Sequence, residues 1–254
     1  MLQQTQAARV VPAYRSFLRA FPSVAALARA PRSAVVAAWS GLGYNRRAVA
    51  LADAARAIVS EHRGHVPRDV EALRALPGVG PYTAAAIASI AFGEPLAALD
   101  VNVRRVVARA RLGAEPHRLD AAAIDAAATR WLDRDDPGAW NQALMDVGRE
   151  HCRSVPRCEG CPLRRGCRFV RGGATAERPS RRPAPFEGSR RQVRGAVVRA
   201  LRGGPVTVAA IARATGFPRE RVGEALAGLA RDGLVVAGPA AVRGAPGGRA
   251  RLRD

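Results

Sequence analysis

Apolar side chains recur at helical spacing along the first two thirds of the chain. Residues 10–21 (VVPAYRSFLRAF) put them on one face of a helix that Pro22 ends. Residues 23–30 and 32–42 repeat the pattern on either side of Pro31, and residues 47–62 form a longer Ala-rich amphipathic segment. Two further helices are read at 122–134 and 139–152. No stretch in this part alternates apolar and polar residues at period two, so the pattern predicts an all-α domain over residues 1–170.

The pattern then breaks. Residues 171–188 are rich in Pro, Gly and Arg and read as a linker. Residues 189–240 follow with three helical segments, 190–202, 207–216 and the one opening at Pro218, and then a short apolar strand. That order predicts a small winged-helix-like domain, with Thr207 capping the second helix, Gly216 in the turn and Pro218 in the first turn of the third. Such a unit either touches DNA or only packs. Residues 241–254, basic and Gly-rich, read as a flexible tail.

Charge changes the picture. The 254 residues carry 41 basic against 21 acidic side chains, a formal net charge of +20. A GC-rich coding sequence also favours such an all-Arg basic set, but the surplus itself points to a polyanion, foremost nucleic acid. No basic residue is Lys, which closes Schiff-base chemistry from any side chain. No apolar run approaches the roughly 20 residues that span a bilayer, and the N-terminus lacks the apolar core of a signal peptide. These features predict a cytoplasmic protein with no membrane partner.

Three segments carry candidate chemistry. In LPGVGPYTAAAIASIAF, Leu76, Pro77, Gly78, Val79 and Gly80 form a tight hairpin between two helices. Glycines there let the backbone approach a ligand, and the amides of the following helix point at an anion such as a DNA phosphate, although the same residues also suit an ordinary helix connection. Asp100 precedes a basic amphipathic helix and reads, by itself, as its cap. Cys152, Cys158, Cys161 and Cys167, spaced C-x5-C-x2-C-x5-C, can close on one metal centre; by spacing, zinc competes with an iron–sulfur cluster. Arg153, Arg157, Arg164, Arg165 and Arg168 surround them and suit a phosphate-binding surface.

Hairpin, following helix and Asp100 together resemble the helix-hairpin-helix DNA glycosylase superfamily that includes endonuclease III and the adenine glycosylase MutY. The resemblance covers residues 1–168 and implies the helix-hairpin-helix glycosylase fold, a 4Fe-4S cluster on the four cysteines, and double-stranded DNA with a mispaired or damaged base as partner. It implies that Asp100 stabilises positive charge on the sugar as the base departs, with Asn102 holding the sugar or Asp100. Tyr82 stands where bifunctional members carry Lys, which implies a monofunctional enzyme acting as a monomer. The family's first cysteine gap is usually one residue longer.

Three segments are most similar to the MutY family. MLQQTQ (residues 1–6) matches a segment whose glutamines enter the duplex, which assigns DNA contacts to Gln3, Gln4 and Thr5. WSGLGYNRRA (residues 39–48) matches a stretch whose tyrosine wedges beside the base opposite the target. A flat ring on a turn-like GLGY suits stacking, so Tyr44 is assigned that role and Trp39 the core. WNQALMDVG (residues 140–148) matches the approach to the cluster. The family's general-acid Glu lies upstream of the segment matching Met1, so the resemblance implies an N-terminally truncated reading frame, an impaired member, or a base that leaves more easily. The function expected is release of adenine opposite 8-oxoguanine or guanine, in cytoplasmic, nucleoid-associated base excision repair. The alternatives are a G·T or G·U mismatch glycosylase and a catalytically impaired DNA-binding protein.

Overall fold

The structure, a computed structural model, describes residues 1–2, 5, 7–177 and 185–254. In chain order its helices are α1 (Ala7–Ala20), α2 (Val24–Arg29), α3 (Arg32–Trp39), α4 (Arg46–Glu61), α5 (Val70–Ala75), α6 (Pro81–Phe92), α7 (Val101–Val107), α8 (Ala121–Trp131), α9 (Pro137–Glu150) and α10 (Arg168–Arg171). The C-terminal part continues with α11 (Arg190–Ala200), β1 (Val206–Thr207), α12 (Val208–Thr215), α13 (Arg219–Arg231), β2 (Val235–Ala237), α14 (Pro239–Val242) and β3 (Arg249–Leu252). Among the described residues no helix is long and apolar enough to cross a membrane.

Two compact units divide the chain: Met1–Val66 with Leu76–Gly78 and Pro183–Asp254, and Pro67–Ala75 with Val79–Arg182. Residues 1–66, expected to share a domain with the rest of residues 1–170, group here with the C-terminal elements. In the first unit α1–α4 and the C-terminal elements contribute to one buried cluster, with Val35, Val36, Trp39, Ala48 and Ala52 on one side and Val197, Ile211, Leu226 and Leu234 on the other. Trp39 lies in this core, as its apolar setting predicts, with its indole N–H donating to the Gly43 carbonyl at 3.1 Å.

In the second unit the helical faces read from the sequence meet as one core: Val103, Val106 and Val107 of α7, Ile124 and Ala128 of α8, and Leu144 and Val147 of α9. Beyond α7 the helix widens into a π turn, Ala108–Leu112, which ends at Gly113 in the left-handed region (φ 77°). This turn carries Arg109 into the interior, where it is 2% exposed.

The C-terminal elements follow winged-helix order. The Thr207 hydroxyl accepts from the Ala210 amide and caps α12, and Gly216 ends that helix at φ 73°, as expected. Pro218 occupies the cap position of α13, one residue before the helix. The supposed flexible tail is instead structure. β3 is the central strand, antiparallel to β1 (Thr207 opposite Arg249) and to β2 (Val236 opposite Arg251). Ala250 and Leu252 point into the core while the arginines point out, a period-two pattern too short to stand out within a Gly- and Arg-rich stretch.

The burial of Leu252 gives a direct check. A mobile tail would tolerate Leu252→Ala within the noise of a surface substitution, whereas burial predicts a loss of about 2–4 kcal/mol. Urea unfolding of the full chain distinguishes the two.

Candidate functional site

Asp100 caps α7 with one carboxylate oxygen, Oδ1, which accepts from the amides of Asn102 (2.8 Å) and Val103 (2.7 Å). Its other oxygen accepts from the Asn102 side-chain amide at 3.0 Å. Three donors thus fix the carboxylate's orientation, and the Oδ2 edge keeps acceptor capacity. Cap and candidate catalytic group are the same residue. Asn102 acts on Asp100, and its own Oδ1 accepts from the Arg105 guanidinium at 2.9 Å.

From Arg105 the chain of bonds runs to the cysteine loop. Its Nε donates to the Cys152 carbonyl (2.6 Å) and its Nη2 to the Gly148 carbonyl (3.2 Å). One helical turn on, Arg109 pairs with buried Glu115 at 2.7 Å and donates to the carbonyls of Arg153 (2.6 Å) and Ser154 (3.0 Å). Its guanidinium also lies 5.2 Å from the Phe169 ring centre and 3.7 Å from the Cys152 sulfur. The close approach of α9 to α7 needs Gly148, because a Cβ there would meet the Asn102 Cβ at 2.9 Å.

Cys152, Cys158, Cys161 and Cys167 are all unpaired and line one cavity, whose apolar wall includes Val106, Ala110, Leu163 and Phe169. Burial pushes the Cys152 thiol up, against the lowering pull of the Arg109 hydrogen bond and charge. Burial also pushes Cys158 up. Among the described residues no three metal-binding side chains already stand together at ligating geometry. The donor set nevertheless suits a metal that prefers thiolates: four cysteines line one cavity, with a guanidinium N–H directed at the sulfur of one of them. Arg153, Arg157, Arg164, Arg165 and Arg168 are all exposed around this loop.

The hairpin separates its residues by role. Gly78 adopts φ 77° and lies so close to α4 that a Cβ would meet the Ala50 Cβ at 2.6 Å. Gly80 is extended, with open space beside it, and begins α6 without a side-chain cap, ahead of Pro81. Pro77 is exposed and Val79 partly so, which leaves residues 77–80 available to a ligand. Leu76 is 5% exposed. An apolar side chain at the end of the preceding turn is more favourably buried than exposed, so a DNA contact at this position belongs to its backbone. Tyr82 is half-buried, with its hydroxyl donating to the Met145 sulfur at 3.8 Å. Burial, and then the nearby Asp100 charge, raise its pKa above that of an ordinary phenol.

Tyr44 is half exposed on a turn in which Gly41, Gly43 and Tyr44 itself all have positive φ (97°, 71° and 48°). A bulky residue in the left-handed region needs support from its surroundings, and Arg47 supplies it. The Arg47 guanidinium lies 5.2 Å from the Trp39 ring centre and 5.6 Å from that of Tyr44. It donates to the carbonyls of Met1 (3.0 Å), Leu42 (3.3 Å) and Gly43 (3.2 Å), and to the Thr5 hydroxyl (3.0 Å). Thr5 in turn donates to the Leu42 carbonyl at 3.3 Å. The structure thus joins Thr5 to the Tyr44 turn, whereas Gln3 and Gln4 lie outside the described residues.

Sequence reasoning missed Arg47, Arg105, Arg109 and Asn141. Asn141 is fully buried; its oxygen accepts from the Ala98 amide (2.7 Å), and its amide donates to Ser89 Oγ (3.0 Å) and to the carbonyls of Leu96 and Pro137 (both 2.8 Å). It anchors the segment that leads into Asp100. A polar residue on the apolar stripe of a helix was the available signal for Asn141, and the same signal marks Arg109 within RVVARARL.

Residues 1–132 match the profile of the HhH-GPD superfamily base excision DNA repair proteins. The chain is 38% identical over 238 residues to the adenine DNA glycosylase of Mycolicibacterium smegmatis, covering 92% of this chain and 81% of that protein. It is 43% identical over 172 residues to the adenine DNA glycosylase of Homo sapiens, covering 66% of this chain and 32% of that one. Among solved structures, a thermostable thymine-DNA glycosylase superposes with a TM-score of 0.61 at 30% identity, covering 67% of this chain and 80% of that one. A trapped endonuclease III–DNA covalent intermediate superposes with a TM-score of 0.58 at 24% identity, over 67% of this chain and 80% of that one, a likeness of fold.

Two substitutions test the geometry without any assay of function. Gly148→Ala forces Asn102 away from its position and is expected to lower stability by about 1–3 kcal/mol. Gly166→Ala, with nothing within 4 Å of the added carbon, is expected to change it by less than about 0.5 kcal/mol. Arg47→Lys keeps the charge and loses the planar fork. Amides 40–44 are then expected to exchange with solvent about tenfold faster, the effect of losing one or two hydrogen bonds, while amides of α8 keep their rates.

Proposed function

The chain belongs to the HhH-GPD superfamily of base excision DNA repair proteins, and from that premise we propose that it is a monofunctional DNA glycosylase. Its reaction is hydrolysis of the N-glycosidic bond of adenine mispaired with 8-oxoguanine or guanine in duplex DNA. The observation that carries this reading is Asp100, a carboxylate held by three donors at the start of α7 and followed by Asn102. As the bond breaks, its electron pair leaves with the base and the sugar becomes an oxocarbenium ion. A preoriented carboxylate stabilises that charge with little reorganisation and accepts a hydrogen bond from the water that adds to C1′. The water's oxygen stays on the sugar with one of its protons as the C1′ hydroxyl, and its other proton ends on the departing base, passed through Asp100 or the solvent.

The product is an abasic site left uncut. No Lys exists to form an imine with the opened sugar. Tyr82, a phenol protonated at neutral pH as any tyrosine is and shifted further that way by burial and by Asp100, acts as a hydrogen-bond donor and not as a nucleophile. Residues 77–80 hold a phosphate at the start of α6. Tyr44 stacks beside the base opposite the target, with Gln3, Gln4 and Thr5 contacting the opened duplex. Cys152, Cys158, Cys161 and Cys167 are the ligands of a 4Fe-4S cluster, zinc being the competing occupant. That centre, when bound, supplies a rigid crosslink for the basic loop of residues 152–167. The enzyme works as a monomer, in the cytoplasm, on chromosomal DNA.

A second reading, thymine or uracil opposite guanine, is favoured by the likeness to the thymine-DNA glycosylase structure. A single-turnover assay on duplexes holding A·8-oxoguanine, A·G, G·T and G·U, with alkaline cleavage of abasic sites, separates the two. Strand breaks only at adenine support the first reading, and breaks only at thymine or uracil replace it with the second. Asp100→Asn removes the charge and keeps the cap, because Asn caps a helix as well as Asp does, while its amide N–H group replaces the oxygen that accepts from Asn102. It is expected to fold normally, bind DNA, and release base about 100- to 1,000-fold more slowly. Wild-type rates in that variant would remove Asp100 from the mechanism.

A further inference from the structure

The C-terminal winged-helix elements carry strong charge in an unusual place. Residues 185–254 hold thirteen arginines and five acidic residues. The exposed face of α13, the helix that enters the major groove in helix-turn-helix proteins, presents Glu220 and Glu224 one turn apart, with Arg219 before them and Arg231 at the far end. Inserted into a groove, those carboxylates would face phosphates of like charge. The hairpin from Val235 to Arg253 has the opposite character, with Arg243, Arg249, Arg251 and Arg253 and no carboxylate.

β3 organises that charge. Arg249, Arg251 and Arg253 are all exposed while Ala250 and Leu252 are buried between them. Alternate residues on a strand share a face and lie about 6.6 Å apart, a spacing on the scale of successive phosphates along one DNA strand. The strand is firmly held. It is paired on both sides, and the Arg253 amide extends the ladder by donating to the Leu234 carbonyl at 3.1 Å. Gly248, at the base of the hairpin, packs where a Cβ would meet the Ala241 amide nitrogen at 2.4 Å. Beside the arginines stand Thr207 and Val236, both uncharged. Asp254 pairs with Arg251 at 3.1 Å, an exposed contact that a phosphate can displace.

We propose that this strand face is a second DNA-backbone contact, in which Arg249, Arg251 and Arg253 grip consecutive phosphates of duplex DNA without reading sequence while α13 stays outside the groove. Guanidinium forks match phosphate oxygens in pairs, and a row of them spaced along a rigid strand matches a regularly charged polymer. The proposal deepens the glycosylase reading above by adding a non-specific hold on DNA from elements that carry none of the residues assigned to base release.

The test uses the full chain and undamaged duplexes of unrelated sequence, with affinity measured across a salt series. In Arg249→Gln/Arg251→Gln/Arg253→Gln, binding is expected to weaken equally on every sequence, and the slope of log affinity against log salt to fall by about 3, near one per lost phosphate contact. Arg249→Gln and Arg253→Gln singly are each expected to lower it by about 1, and they carry the test if the triple variant unfolds. Glu220→Gln/Glu224→Gln is expected to leave affinity within about twofold. An unchanged slope in the arginine variants, or a sequence-dependent change in the glutamate variant, overturns the proposal. Base release by the wild type is measured separately, so failure of the glycosylase reading and failure of the wing contact show in different experiments.

Discussion

Burying a guanidinium imposes a strict requirement. An unpaired charge inside a protein is far less stable than in water, so the fold must bring it a counter-charge and carbonyl acceptors or not form at all. Arg109 meets that requirement with Glu115, two carbonyls from the start of the cysteine loop, and the face of Phe169. Much of the second unit follows. The π turn at residues 108–112 exists where Arg109 must point inward. The chain after α9 must return to α7 to present its carbonyls, and in doing so it places Cys152 against Arg105 and Arg109. The four sulfurs then line one cavity next to the helix that Asp100 begins.

At Asp100 the observed structural role and the proposed chemical one draw on the same geometry. A helix cap needs a short acceptor side chain in a fixed orientation, and electrostatic catalysis needs the same thing. Because Oδ1 is committed to backbone amides and Oδ2 is braced by Asn102, the carboxylate is oriented before any substrate arrives. Asn102 is braced in turn by Arg105, and Arg105 by the Gly148 and Cys152 carbonyls. A disturbance of the cysteine loop therefore has a physical route, through three hydrogen-bonded side chains, to the position of the Asp100 carboxylate.

What could be read from the sequence was what local spacing encodes. The caps at Asp100 and Thr207, the left-handed glycines at 78 and 216, the gathering of four cysteines in one loop and the helical faces that meet in the core all depend on residues a few positions apart. Features set by distant partners stayed hidden. β3 becomes a strand because β1 and β2 supply its ladder, and nothing in GGRARLRD announces partners that far away in the chain. The hairpin motif is contiguous, but contiguity does not decide which of its side chains face inward, as that of Leu76 does. Arg47 was hidden for the same reason: its meaning lies in Met1, Thr5, Trp39 and Gly43, which reach it from two directions.

The exclusive use of Arg for basic charge takes on a structural sense at these positions. Arg47, Arg105 and Arg109 each bridge several acceptors at once, and two of them also lie over aromatic rings. A lysine ammonium offers neither the planar fork nor the flat face, and it is more strongly hydrated, so it resists the burial that Arg109 undergoes. Inside the fold arginine is irreplaceable for geometric reasons. The absence of a side-chain amine and the braced architecture around Asp100 thus share a chemical origin: a chain whose basic side chains of high pKa are all guanidinium can bury and fork its positive charges, and none of its side chains can form an imine.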